Sequence, residues 1–369
     1  MAAPRLYLDH AATTPMLPAA QVAMVGAMAD WANPSSPHAD GRAARAALED
    51  ARARIGAALG WDGHVIFTSG ASEAIAIALT RAKARRVVTS PVEHDAVLRV
   101  TKDAERLAVD GSGLVQDPVR PEPVDACPER RRRGRARAST GSARTDVSHV
   151  LAIQHVNNET GVIQPLDRIE RGGAILFADC AQSAGKLPLP DADMIAVSAH
   201  KFGGPPGIGA LLIRDLALIE PSGGQEQGYR AGTENLPAIL GMAAALEAGE
   251  EWMARAADMR ARLDAAIEAA GGIVVARDAP RIPTIASYRM PGLSARAQLI
   301  QFDLAGISVS AGSACSSGSL KTSHVLGAMG WDEVAASEVV RVSLGPQTLD
   351  SELDSYIAVW RRMAERLSI

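Results

Sequence analysis

Hydrophobic positions along this chain fall into short apolar runs separated by longer Ala-rich stretches. VIFTS (65–69) leads into EAIAIALTRA, and further runs appear at RRVVTS (85–90), HVLAIQHV (149–156), AILFAD (174–179), DMIAVSA (193–199) and GALLIRD (209–215). Continuous apolar runs bounded by turn residues predict buried strands, and the amphipathic stretches between them predict helices. Strands alternating with helices favour a mostly parallel central sheet with crossover helices, an α/β fold. Ligands of such sheets bind beyond the carboxyl ends of the strands, where loops meet helix N-termini. From Leu236 to about Ala270, low Gly and Pro content and repeated apolar spacing predict bridging helices, stopped by Gly271 and Gly272. Beyond them IVVA, TIASYRM, LAGISVSAG and VVRVSLG read as strands of a smaller C-terminal α/β region, with a boundary near residue 250.

Length agrees with two packed regions, because 369 residues exceed the size at which one core stops growing. Hydrophobic residues make up 47% and charged residues 22%, as expected of a soluble globular protein, and the net charge of -4 supplies no field that would draw the chain onto nucleic acid or a membrane. No apolar run approaches the roughly 20 residues of a membrane span, and MAAPRLYLDHAATTP lacks the pattern of a signal peptide, so a cytoplasmic location is expected. Cys127, Cys180 and Cys315 are too scattered for a disulfide framework or a permanent metal site. Residues 116–148 lack hydrophobic periodicity and carry RRRRGRAR; without interleaved aromatics to stack on bases they read as a solvated insert, and no direct nucleic-acid partner is expected.

Candidate chemistry gathers where the apolar runs end. SAHKFGGPPGIGALLI (198–213) puts Lys201 between a strand and a Gly/Pro turn, where a partly desolvated amine can form a Schiff base. Asp179, at the end of FAD, can pair with a protonated ring nitrogen such as that of pyridoxal phosphate, or else cap the following turn. Gln182 and Asn158 are candidates to hydrogen-bond the 3′-oxygen of that ring. FTSGASEAI (67–75) reads as strand, glycine turn and helix start, so Gly70, Ala71 and Ser72 form a candidate phosphate cradle. His94 follows another strand and is a candidate to stack on the cofactor and move a proton, although lone histidines are more often structural. Arg230 and Thr233 sit in a Gly-rich loop suited to an anionic group, and Arg341 in VVRVSLG suits a bidentate hold on a substrate carboxylate. Cys315, in SAGSACSSGSLKTSHVL, is a thiol among small residues, with the access and freedom that a nucleophile needs.

These segments, from YLDHAATTP (7–15) and NPSSPHADGR (33–42) to VRVSLG, resemble in their order the group I cysteine desulfurases of the NifS/IscS type, class V aminotransferase-like enzymes. The resemblance implies a fold-type I pyridoxal-phosphate transferase, with a large domain over 13–250 and a small one from 1–12 and 251–369. It implies Lys201 as the Schiff-base residue, Ser198 and His200 beside the phosphate, and cofactor roles for His94, Asn158, Asp179 and Gln182. It also implies that Thr233 reaches a phosphate across the interface of a homodimer. Cys315 would take sulfur from L-cysteine as a persulfide and pass it to an iron-sulfur scaffold or a tRNA-thiolation relay, serving at most as a transient iron-sulfur ligand. A selenocysteine lyase, another class V enzyme and a non-catalytic docking subunit are the competing readings. The sequence departs from the family's pattern at the basic insert and in PLDRIERGGAILFAD, which leaves room for only a very short helix before Asp179.

Overall fold

The computed structural model describes residues 5–29, 32–116, 149–249, 252–314 and 320–367. Cys127 and almost all of the basic insert lie outside these residues, and so does Cys315. The chain opens on the short strand Leu6–Tyr7 (β1) and the helices Pro18–Ala29 (α1) and Ala39–Leu59 (α2). The central sheet is then built from His64–Thr68 (β2), Val87–Thr89 (β3), Glu105–Arg106 (β4), Val150–Gln154 (β5), Ile175–Asp179 (β6), Met194–Ser198 (β7) and Gly209–Ile213 (β8). Helix Ala71–Arg81 (α3) follows β2, and the short helix Asp95–Val100 (α4) follows β3.

The order across this sheet is β2-β8-β7-β6-β5-β3-β4. All its pairings are parallel except those of β8, which runs opposite to both β2 and β7. Alternate strand residues go to opposite faces. Phe67, Ile153, Ala178, Val197 and Leu212 pack toward residues of α2 and the helix Leu236–Glu247 (α5), while Ile66, Ala152, Phe177, Ala196 and Leu211 pack toward α3. Both faces are covered, which is why the strands read as unbroken apolar runs. Because β2, β3, β5, β6 and β7 point the same way, their carboxyl ends deliver Ser69–Ser72, Ser90–His94, Asn157–Glu159, Asp179–Gln182 and Ser198–Lys201 to one edge.

The C-terminal region packs helices Met253–Ala269 (α6), Ala295–Leu304 (α7) and Asp350–Leu367 (α10) around Ile273–Val274 (β9), Ile285–Arg289 (β10) and Val339–Ser343 (β14). Ile307–Ser308 (β11) pairs with β1, Ser313–Ala314 (β12) pairs with Leu320–Lys321 (β13), and His324–Ala328 (α8) and Glu333–Ser337 (α9) precede β14. Trp360, Tyr288, Tyr356 and Phe302 are fully buried here, with the last two rings stacked at 4.7 Å.

Some expected elements are shorter or missing. IVVA yields only the two residues of β9, because Ala276 turns with φ 51°. The strand expected in LAGISVSAG is confined to β11. The very short helix expected in PLDRIERGG is a series of turns, with Gly172 and Gly173 at φ 53° and 84° immediately before β6.

One close approach positions the site. Gly209 pairs with both Thr68 and Ser198, and a Cβ on it would lie 2.3 Å from the Val197 carbonyl oxygen and 2.7 Å from the Gly70 Cα. The start of β8 therefore has room only for glycine if the β2–α3 turn is to sit beside β7. Gly209→Ala is expected to destabilise the fold by about 1–3 kcal/mol through overpacking, read as a lower urea midpoint at an unchanged m-value.

Candidate functional site

Lys201 ends a short 3₁₀ turn that follows β7 directly. Its Nζ donates to the carbonyl oxygens of Ala11 and Ala12 at 2.6 and 2.8 Å. Burial, and then the nearby Arg341 cation, bring its pKa down to about 8, against the smaller upward pull of Asp9 and Asp179. The amine can thus lose its proton near neutral pH, as nucleophilic use demands.

Asp179 is buried at the end of β6. Its Oδ1 accepts from the Ala181 N–H at 2.9 Å, so the side chain does cap its turn, and among the described residues no donor is bonded to Oδ2. Burial raises its pKa, opposed by His94 and Lys201. A buried carboxylate without a bonded cation favours a positively charged N–H donor in the cavity that it lines. His94 is the N-cap of α4, and its Nδ1 accepts from the Ala96 N–H at 3.2 Å. Desolvation pushes its pKa down, and with Nδ1 accepting, the neutral ring carries its proton on Nε2.

Gly70 precedes α3 with φ 148°, a backbone conformation that favours glycine. No side chain caps this helix, whereas α2, α4, α5, α7, α8 and α9 each have a capping side chain. Its first turn lines the cavity with Ser72 and Ser198, and uncapped helix N–H groups of this kind suit an anion. His200, bonded to Thr13 Oγ1 at 3.2 Å, is held neutral by burial, which lowers its pKa to about 4 with help from Lys201.

Gln182 Nε2 donates to the Ala11 carbonyl at 2.9 Å, and its Oε1 is buried without a partner. Asn157 folds the next turn by accepting from the N–H groups of Glu159 and Thr160, which leaves Asn158 on the cavity wall. The Asn158 carbonyl oxygen accepts from Arg341 at 2.9 Å.

One cavity of ≈ 590 Å³ therefore unites Gly70, Ala71, Ser72, His94, Asn158, Asp179, Gln182, Ser198, His200, Lys201 and Arg341. Thr233 is exposed and does not line it. Arg230 is committed to Glu73, with Nε 2.9 Å from Oε1, and so is not the open anion site that its loop suggested. Three participants escaped the sequence reading. Asp9 is bonded to Arg341, and His324 lines the cavity with Nε2 3.0 Å from the Glu93 carbonyl oxygen. Glu93 is buried behind His94, linked to Ser90 Oγ and the Gln154 N–H, and burial pushes its pKa up to about 8. Only the adjacency of Glu93 to His94 in SPVEHDAVL could have pointed to it.

A lysine, an aspartate and an uncapped helix start gathered at the carboxyl edge of the sheet mark the site of an α/β enzyme. The chain belongs to the aminotransferase class-V family, which it matches over residues 6–356, and within it to the NifS/IscS-like branch. It is 35% identical to a cysteine desulfurase of Cereibacter sphaeroides, over 98% of this chain and 96% of the relative. It is 34% identical to the cysteine desulfurase IscS of Dictyoglomus turgidum, over 98% and 95%. Among solved structures, a NifS-like protein superposes with a TM-score of 0.81 at 27% identity, covering 99% of both chains. A structure of SspA in complex with cysteine superposes with a TM-score of 0.74 at 27% identity, covering 93% of this chain and all of that one (100%).

In the cofactor-free protein, reductive methylation of Lys201 is expected to rise with pH through a midpoint near 8, below that of ordinary lysines, when followed by peptide mass spectrometry. Arg341→Leu removes a neighbouring cation and should move that midpoint upward.

Proposed function

We propose that this chain is a pyridoxal-phosphate-dependent cysteine desulfurase that converts L-cysteine to L-alanine and moves the sulfur to Cys315. The observation that carries the reading is the convergence of Lys201, Asp179, His94 and Arg341 on the cavity that the uncapped start of α3 also faces. The residues suit the cofactor in three respects. Asp179 Oδ2 has no bonded partner to compete with a ring N–H, the cradle at Gly70–Ser72 is an anion site without its own cap, and Lys201 is desolvated. When bound, pyridoxal phosphate supplies an electron sink for the bonds at the substrate's Cα.

The chain's own groups divide the remaining work. Lys201 would hold the cofactor covalently and, once released by the substrate amine, exchange protons with the substrate Cα. Nδ1 of His94 is occupied by the Ala96 N–H, so Nε2 is the atom available to give or return a proton. Asp179 would hold a positive ring nitrogen, while Asn158 and Gln182 would flank the ring's 3′-oxygen. Ser198 and His200 would stand beside the phosphate with Gly70, Ala71 and Ser72. Arg341 would receive the substrate carboxylate.

Cys315 would attack the substrate sulfur as thiolate. The substrate Cβ–S bond breaks, a new S–S bond forms, and the carbon skeleton leaves as alanine after protonation at Cβ. The products balance as alanine plus a Cys315 persulfide. We assign its onward transfer to an iron-sulfur scaffold protein or another persulfide acceptor in the cytoplasm. Among the described residues no helix is long and apolar enough to cross a membrane. The exposed position of Thr233, outside the cavity of its own chain, supports a homodimer in which it serves the neighbouring phosphate.

The test is to mix the purified holoenzyme with L-cysteine and assay alanine and sulfide under reducing conditions. Cys315→Ala is expected to abolish sulfide release while the cofactor's visible colour remains, and Lys201→Ala to abolish both. Undiminished sulfide release by Cys315→Ala would refute the persulfide role.

A further inference from the structure

Arg341 reaches the cavity from β14, but its guanidinium is already engaged. Nη1 donates to the Asn158 carbonyl oxygen at 2.9 Å, and Nη2 donates to Asp9 Oδ1 at 2.8 Å. Nε is buried and has no partner among the described residues. A carboxylate can sit on a guanidinium bidentately along the Nε/Nη2 edge or the Nη1/Nη2 edge. Both edges include Nη2. A carboxylate binding along either edge would share Nη2 with the Asp9 carboxylate and stand against its negative charge.

Asp9 is built to let go. The Arg341 side chain retains 8% of its exposure but that of Asp9 retains 20%, so the carboxylate can turn into water while the cation stays. The Asp9 backbone is fixed independently. It bridges to Ser343 of β14, and its carbonyl oxygen accepts from the Tyr7 hydroxyl at 3.1 Å and the Ala12 N–H at 3.0 Å. Among the described residues its carboxylate has no hydrogen-bonding partner other than Arg341.

We propose that Asp9 is a positioning residue that acts as an internal competitor, occupying on Arg341 the place of the substrate's α-carboxylate. It keeps the guanidinium aligned before substrate arrives and sets how strongly a carboxylate must bind to enter. The proposal rests on the reading of Arg341 as the carboxylate site. An occupant that fills the site in nine molecules of ten lowers apparent affinity about tenfold, and a partly exposed pair of about 1 kcal/mol corresponds to about fivefold.

Asp9→Asn removes the charge and keeps the shape. In the holoenzyme, KM for L-cysteine is expected to fall about three- to tenfold, and the competitive inhibition constant of propionate, which has a carboxylate but no amine, should fall by a similar factor. The constant for cysteamine, which has the amine and thiol but no carboxylate, should stay where it is. A KM or propionate constant that is unchanged or raised, or a cysteamine constant that shifts with them, would overturn the proposal and make Asp9 a strut. Asp9→Ser gives the same readings if the asparagine variant does not fold. Should L-cysteine yield no sulfide at all, the desulfurase reading fails, while calorimetric titration of both variants with propionate and cysteamine still decides the role of Asp9.

Discussion

The architecture at the head of the central sheet depends on removing one amine from water. Lys201 is brought there by β7 and is met by the carbonyl oxygens of Ala11 and Ala12, which belong to an entirely different part of the chain. Two carbonyl dipoles hold an ammonium without neutralising it, so burial still works against the charge. A full ion pair at the same place would have fixed the proton on the lysine. The arrangement keeps the amine oriented and its proton removable, and the strand ends around it supply most of the other groups that line the cavity, with Arg341 and His324 coming from the C-terminal region.

The same logic governs the neighbours. Desolvation lowers the pKa of His94 and His200, and burial favours the uncharged form of Glu93. Burial thus works against charge at several groups around the cavity, and at Asp179 it is opposed by His94 and Lys201. With burial favouring its uncharged form, Glu93 adds little negative charge beside Asp179, although β5 and β6 place their ends side by side with Gln154 opposite Asp179. Electrostatic preorganisation here consists as much in discharging some groups as in charging others.

How much of this could be read from the sequence follows from the range of the interactions. The runs that became β2, β3, β5, β6, β7 and β8 were legible because strands buried on both faces are apolar throughout. Lys201, Asp179, His94, Asn158 and the Gly70 turn were legible because each directly follows such a run. Asp9 was not, since its partner Arg341 lies 332 positions away and no local pattern joins them. Arg230 was misjudged for the same reason, because its loop looks suited to anions until Glu73, 157 positions distant, is found to occupy it. The very short helix that the family pattern left room for before β6 is absent because PLDRIERGG closes in turns, with Gly172 and Gly173 left-handed.

The N-terminal segment links Arg341 to Lys201. β1 is hydrogen-bonded to β11, and Asp9 bridges to Ser343 at the end of β14, so this segment is carried by the C-terminal region. Yet Ala11 and Ala12 hold Lys201, Thr13 touches His200, and Thr14 Oγ1 donates to the Lys201 carbonyl oxygen at 3.1 Å. Arg341, also on β14, is thereby fixed relative to Lys201 by six residues of extended and turned backbone instead of by the large sheet. The distance between the cation that would receive a carboxylate and the amine that would be released is thus set by the short run from Asp9 to Thr14. That explains physically why the fold invests so many backbone contacts in a segment with few apolar side chains of its own.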